Sequence, residues 1–466
     1  MSGAAHSEVA ETSSLPEHPS RVVWTLAWPA VALNSLQVIN TLLDRFFLGH
    51  LPQSAFTAVG GAMSVTFLTF SIAMSLATGA TAIVARAFGA GDVSEYREAS
   101  RQAFGLSWMS GLALGFLTIL VAPVVSRLML PSQDLEAVRL MSGFLIAFGV
   151  GLPAIFVIQT IAGSMRGIGD TKSPMVISGI QILLHIILNF FFIFPTRKLM
   201  GFTIPGAGLG VIGAGAALAA SAWVSAIVYG FYCRKTPLGA ASTLHWPSSD
   251  WTRRILRIAT PAAGMAILRV LSLAVFSFML KFVPNSSIAI ATLPLAFGVE
   301  SIMFMPSFGL AMAASALVGQ SLGMKNPDRA ERLGWIASHH GAIVTLALSV
   351  PIFIFAPQIG ALLVEGKTEL VQEFVLFLRL LCATEVLFAY AMITIGAMQG
   401  AGDTVRPLWI AVISMWGLRV PLAFLLAFPF KLGALGAWIA MSATQAIQGL
   451  LCLIVFKQGG WKTKKV

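Results

Sequence analysis

The sequence predicts an all-α membrane protein of twelve transmembrane helices, built as two parallel six-helix halves. Three observations carry this. Of 466 residues, 57% are hydrophobic and only 11% charged, where soluble domains hold about 25% charged residues; mean hydropathy is +0.84. The apolar residues form continuous runs, long enough for helices that need about 20 residues to cross hydrocarbon. Motifs of the first half also recur in the second at a near-constant offset. A soluble enzyme is excluded by composition. A β-barrel is excluded because its strands would alternate over segments of about ten residues.

The spans are expected at 22–48, 55–84, 102–130, 138–165, 174–196, 207–233, 254–283, 287–319, 333–356, 370–398, 405–429 and 433–456. Each should be helical, since lipid offers no partner to an unpaired backbone group. Several exceed the minimum, so tilt or extension past the bilayer is expected. An N-terminal tail, 1–21, is polar and is expected to be disordered. It lacks the charged and apolar order of a signal peptide. A polar loop, 234–253, joins an N-terminal lobe (22–233) to a C-terminal lobe (254–456). A basic tail, 457–466, ends the chain.

Net charge is +11 and the pI about 10. The basic residues flank spans and do not interleave with stacking aromatics, so no nucleic-acid partner is expected. Nineteen lie at the termini and in even-numbered loops, and nine on the opposite side. The positive-inside rule then places both termini in the cytoplasm of a plasma membrane, a bacterial inner membrane if the source is prokaryotic. Cys233, Cys382 and Cys452 lack metal or redox spacing. No GxxxxGKS/T or HExxH motif occurs, so no cofactor is expected. A monomer is expected.

Segment 163–175, GSMRGIGDTKSPM, matches 396–408, GAMQGAGDTVRPL, at seven of 13 positions, offset by 233. ARAFGAGD at 85–92 matches GQSLGMKN at 319–326 in pattern, and WPAVALNSLQV at 28–38 aligns with TPAAGMAILRV at 260–270. Six spans per half is even, so the halves share one orientation, as in many secondary transporters. Gly169-Asp170-Thr171 and Gly402-Asp403-Thr404 are read as helix connections, with Asp or Thr capping the next helix. Gly208, Gly210 and Gly213 match GxGxxG but open an apolar span, so close helix packing outranks dinucleotide binding.

These motifs resemble the MATE family, the multidrug and toxic compound extrusion transporters, in its DinF-like branch. The resemblance rests on WPA, on Asp44 in NTLLDRFFLG, on VGQSLGMKNPDRAER, on the two Gly-Asp-Thr turns and on GALGAWIAMSATQ at 433–445. It runs from about Arg21 to Phe456. It implies a V-shaped pair of lobes around a chamber. It also implies export of small organic, often cationic, compounds across the lipid bilayer by antiport with protons or sodium ions.

An ionisable group inside a bilayer is a functional candidate by default. Asn34, Gln37, Thr41 and Asp44 share one helical face, with Asn40 close by. Asp44 is the leading ion-coupling residue; its bland alternative is an interfacial carboxylate balanced by Arg45. In the DinF-like branch this Asp works with an Asn and an Asp four residues apart on the fifth helix. His185 and Asn189 occupy those places here, and the second carboxylate is missing. His185 is either the titrating partner or a neutral structural one. In the second lobe, Glu300 and Arg269 are candidates for a buried pair, either structural or coupling, and Glu385 is a further candidate with Arg419 as an alternative partner. Met303, Phe304, Met305 and Phe308 are candidates for an adaptable substrate chamber, or for ordinary packing. A lipid-linked saccharide flippase is the competing reading. It is disfavoured because few basic residues lie inside spans, where a pyrophosphate-lipid would want arginines.

Overall fold

The computed structural model describes residues 18–48, 51–131, 133–199, 202–239, 245–364, 367–464 and 466. The tail before residue 18, residues 240–244 of the inter-lobe loop and the Arg45 side chain lie outside the described residues. Twelve helices are long and apolar enough to cross a membrane. They are α1 Pro19–Leu48, α2 Gln53–Gly89, α3 Val93–Met129, α4 Leu135–Gly167, α5 Lys172–Ile193 and α6 Gly210–Cys233. The second half holds α7 Ser249–Met279, α8 Ser286–Gly323, α9 Pro327–Ile354, α10 Thr368–Gly400, α11 Val405–Ala427 and α12 Gly433–Gln458.

Two elements differ from the expected connections. Between α5 and α6, Pro195–Leu199 pairs antiparallel with Phe202–Ala207 as a β-hairpin. Its strands are too short and too rich in Pro and Gly to show alternation in the sequence. After α9 comes a short helix, Ala356–Leu363, which apart from Ala356 falls in the connection expected between the ninth span (333–356) and the tenth (370–398). Helix α3 also starts well before its apolar run. Asp92 accepts a hydrogen bond from Glu95 N (2.9 Å) and caps a polar first section that continues the helix beyond the hydrocarbon.

The repeated turns follow one design. Gly169 and Gly402 adopt φ of +89° and +83°, a conformation that favours glycine. The Asp170 and Asp403 amides then bond back to Met165 O and Met398 O, closing the helix end. Asp170 Oδ1 accepts from Ser173 N (3.0 Å) and Asp403 Oδ1 from Arg406 N (3.4 Å), so it is the Asp side chain that caps the next helix. Of the GxGxxG glycines, Gly208 and Gly210 lie at positive φ. A Cβ on Gly213 would stand 2.4 Å from Phe192 O, so these residues serve a turn and close packing.

The lobes are held together by exchange of their first helices. The start of α1 belongs to the second lobe: Val23 and Ala27 are fully buried in a core with Leu310, Ala314, Ile393 and Phe456, and Trp24 stacks on His340 of α9. Beyond Val31, which abuts Gly309 of α8, Leu36 reaches Gly179 of α5 in the first lobe. Helix α7 does the converse. Ile255, Ile258 and Ala259 are buried in the first-lobe core. Farther on, Trp416 Nε1 of α11 donates to Leu268 O (3.1 Å) and Ser272 Oγ to Met415 O (3.4 Å).

The ends of α2 and α8 meet directly. A Cβ on Gly89 would lie 2.0 Å from Gln320 O, and one on Gly323 would lie 2.1 Å from Arg86 O. Positions 89 and 323 are equivalent in the repeat, as are 86 and 320, so the contact is reciprocal. That is the signature of a two-fold relation between the halves. On the same face, Gln320 Nε2 donates to Gly167 O (2.8 Å). Trp461 of the C-terminal segment is buried on Phe456, and Lys464 O accepts from Arg86. These contacts seal the face that carries the termini.

Small residues let the helices approach within each lobe. At Gly400 a Cβ would fall 1.9 Å from Ser315 O, where only backbone can yield. Gly400→Ala is therefore expected to cost about 1–3 kcal/mol or more through overpacking, read as a lower melting temperature in detergent. Gly298, with nothing within 4 Å of its Cβ position, serves as control. Gly298→Ala should leave melting unchanged or raise it, since Ala favours a helix over Gly by about 1 kcal/mol.

Candidate functional site

Two polar groups lie inside the helices, one per lobe. In the first, α1 and α5 bring Asp44, Asn40, His185 and Asn189 together. Four-residue spacing puts each pair on one face of its helix. Asn189 Nδ2 donates to Asp44 Oδ1 (2.7 Å), and Asn40 Nδ2 to Asp44 Oδ2 (3.3 Å). His185 Nε2 lies 3.3 Å from Asn189 Nδ2, and its Nδ1 lies 3.2 Å from Asn40 Oδ1 and 3.9 Å from Asp44 Oδ1. One assignment satisfies all of these contacts. The Asp44 oxygens accept from both amides, while His185 accepts at Nε2 and carries its proton on Nδ1. In that arrangement the ring is neutral. His185 and Asn189 are buried, whereas Asp44 is half-buried. The Asn189 carbonyl oxygen is buried with no protein partner among the described residues.

The rest of the predicted stripe is not uniformly enclosed. Asn34 is buried, with its amide nitrogen unpartnered among the described residues, while Gln37 and Thr41 are exposed. Gln37 is thus outside the hydrogen-bonded group. The balancing role considered for Arg45 concerns a side chain outside the described residues.

In the second lobe Glu300 and Glu385 are both buried, and their carboxyl groups are close enough to interact directly. Arg269 makes no ion pair with Glu300 within 4 Å among the described residues. The direct pair expected from sequence is replaced by a hydrogen bond from Gln445 Nε2 to Glu300 Oε1 (2.9 Å), with Arg419 and Arg269 acting on Glu300 through space. Arg419, the alternative partner for Glu385, instead donates from Nε to Thr444 Oγ1 (3.1 Å). It ends a π-helical stretch, Val412–Arg419; such widened turns are common at functional sites. Neither oxygen of Glu385 has a partner of ordinary hydrogen-bond geometry among the described residues. Thr444 and Gln445 of α12 were missed as site residues. Their only signal is the polar cluster Ser442, Thr444 and Gln445 that ends the apolar run GALGAWIAMSATQ.

Met303 does not belong with the chamber candidates. It is fully buried in the second-lobe core and accepts contacts from Ser349 Oγ and Cys382 Sγ. Its full burial separates Met303 from Phe304, Met305 and Phe308, which are half-buried.

This fold and these internal polar groups define a membrane transporter of two repeated six-helix lobes. The family model MatE matches residues 29–191 and 261–425, one match in each lobe. The chain belongs to this family, the MATE multidrug efflux transporters, and is not an enzyme. It is 28% identical over 445 residues to "Probable multidrug resistance protein NorM" of Thermotoga maritima, covering 95% of this chain and 93% of that one. It is 25% identical to "Probable multidrug resistance protein YoeA" of Bacillus subtilis, covering 94% and 93%. Among solved structures, "Crystal structure of MATE in the straight conformation" superposes with a TM-score of 0.87 at 22% identity, covering 95% and 96%. An outward-facing MATE family transporter of the MOP superfamily also gives 0.87, at 21% identity, covering 96% and 98%.

The second-lobe geometry separates its residues by experiment. Gln445→Ala removes the donor to a buried carboxylate and is expected to cost about 1–3 kcal/mol, seen as a lower melting temperature. Glu385→Gln puts a neutral amide in place of one of two neighbouring buried carboxyl groups and relieves their mutual repulsion, so it should leave melting unchanged or raise it.

Proposed function

We propose that the protein exports small organic compounds by ion-driven antiport, with Asp44 as the coupling carboxylate and alternating access between the lobes as the mechanism. One observation carries this reading: α1 bears Asp44 against α5 of one lobe while its first turns are locked in the core of the other. Anything that changes the charge on Asp44 acts on a helix tied to both lobes. Ionised, Asp44 keeps its two amide donors and attracts a cation. When it takes a proton, or a sodium ion that adds the Asn189 carbonyl oxygen to its oxygen ligands, that attraction ends and α1 is re-anchored. Substrate and ion then compete through one charge, each shifting the same two-state equilibrium.

On the positive-inside reading both termini are cytoplasmic, so the sealed face is inward. The second-lobe group of Glu300, Glu385, Arg269 and Arg419 is then a further place where ion binding acts on the same cycle. No resident cofactor enters the mechanism; the driving ion is transported. The neutral ring inferred for His185 makes it a positioning residue for Asn40 and Asn189, not the titrating group.

The test is transport in proteoliposomes, with an imposed pH gradient compared against a sodium gradient. Asp44→Asn, nearly isosteric, should fold with normal melting and lose gradient-driven export at least about 100-fold, the scale of a group that acts in the coupled step. Export at the wild-type rate overturns the proposal. His185→Ala should slow transport without moving the midpoint of its pH profile; a moved midpoint assigns the titration to His185.

A further inference from the structure

On the face opposite the termini, the second lobe carries a groove of about 730 Å³ between the end of α9, the short helix Ala356–Leu363, α10 and the start of α12. Its walls are apolar apart from Gln372 and Arg379. We propose that this groove binds an anionic phospholipid of that leaflet, with the Arg379 guanidinium on the phosphate and an acyl chain along Val375, Leu435 and Ile439.

The depth of the groove suits a headgroup. The short helix exposes Leu362 (85%) and Leu363 (48%), and Phe355 just before it is 54% exposed. Large apolar side chains left open on an eight-residue helix at a span end mark the membrane interface. Pro357 of this helix lines the groove, which places the groove mouth at the same level. Arg379 starts inside the α10 span and reaches toward that level. Its Nε donates to Phe353 O in the last turn of α9 (3.3 Å), and its guanidinium lies over the Phe353 ring at 5.2 Å.

Those contacts use one edge of the guanidinium and leave the two Nη groups available. Among the described residues no carboxylate lies within 4 Å of them. A cation in an apolar, lipid-facing wall is costly unless an anion meets it, and the guanidinium fork matches phosphate oxygens in pairs. A free phosphate ion would satisfy the arginine but leave the apolar length of the groove uncovered. A neutral phospholipid would fill the length but bring no net charge. Only an anionic phospholipid uses both features.

The experiment is native mass spectrometry of the full chain released from detergent after incubation with equal amounts of phosphatidylglycerol and phosphatidylcholine. Wild type should retain phosphatidylglycerol preferentially, and Arg379→Gln should lower that occupancy about tenfold, the scale of one charge-assisted contact. An excess of inorganic phosphate should not displace the lipid. Equal retention of both lipids by wild type, unchanged occupancy in Arg379→Gln, or displacement by phosphate alone overturns the proposal. If Arg379→Gln fails to fold for loss of its bond to Phe353 O, Leu435→Trp decides. It keeps the arginine and fills the groove, so lost phosphatidylglycerol supports the site and undiminished binding rejects it.

Discussion

The structure depends on one constraint: α1 and α7 are each shared between two lobes. The start of α1 is buried among Leu310, Ile393 and Phe456, and the start of α7 is buried in the first-lobe core. Burying apolar side chains of this kind is worth about 1.5–3 kcal/mol each, so neither helix is free to leave its adopted lobe. The lobes cannot slide independently, and a rotation that opens one face has to bend or re-seat these two helices. Their far portions, with Asp44 on α1 and Arg269 on α7, lie beside the polar groups. The seal and the sites are thereby joined by single continuous helices.

The two polar groups use the same location differently. In the first lobe one carboxylate is held by two amides and a histidine, a set with a single unit of formal charge. In the second, two carboxyl groups and two guanidinium groups balance formally, yet no carboxylate pairs with a guanidinium within 4 Å among the described residues. A direct buried salt bridge often fails to repay its desolvation. Hydrogen bonds from Gln445 and to Thr444 meet part of that cost without locking opposite charges together.

Much of the architecture was legible because it is periodic. Span count follows from lengths of apolar sequence, and the two-fold relation from offsets that agree among three motif pairs. The reciprocal contact of Gly89 with Gln320 and Gly323 with Arg86 is the three-dimensional form of that offset. The Asp44 grouping was legible in part, since Asn40 with Asp44 and His185 with Asn189 are four-residue neighbours whose faces follow from helix geometry. What was not legible depends on contacts across long separations. Gln445 reaches Glu300 over 145 residues, and no local pattern prefers it to Arg269, which lies on an adjacent span. Met303 was grouped with its neighbours by residue type, although helical phase turns it into the core. The β-hairpin escaped because two short strands carry too few residues for a period to emerge.

The central claim is that the charge on Asp44 sets which face is open. The most direct measurement is the distance between spin labels at Gln53 and Ser287, exposed residues at the equivalent ends of α2 and α8 on the unsealed face. The labels are placed in protein whose buried Cys233, Cys382 and Cys452 have been replaced. Pulsed dipolar spectroscopy should show the distance distribution shifting on acidification or on addition of sodium. In Asp44→Asn the distribution should stay fixed at its ion-bound position under all conditions. An Asp44→Asn protein whose distances still respond to protons or sodium as the wild type does would contradict the account.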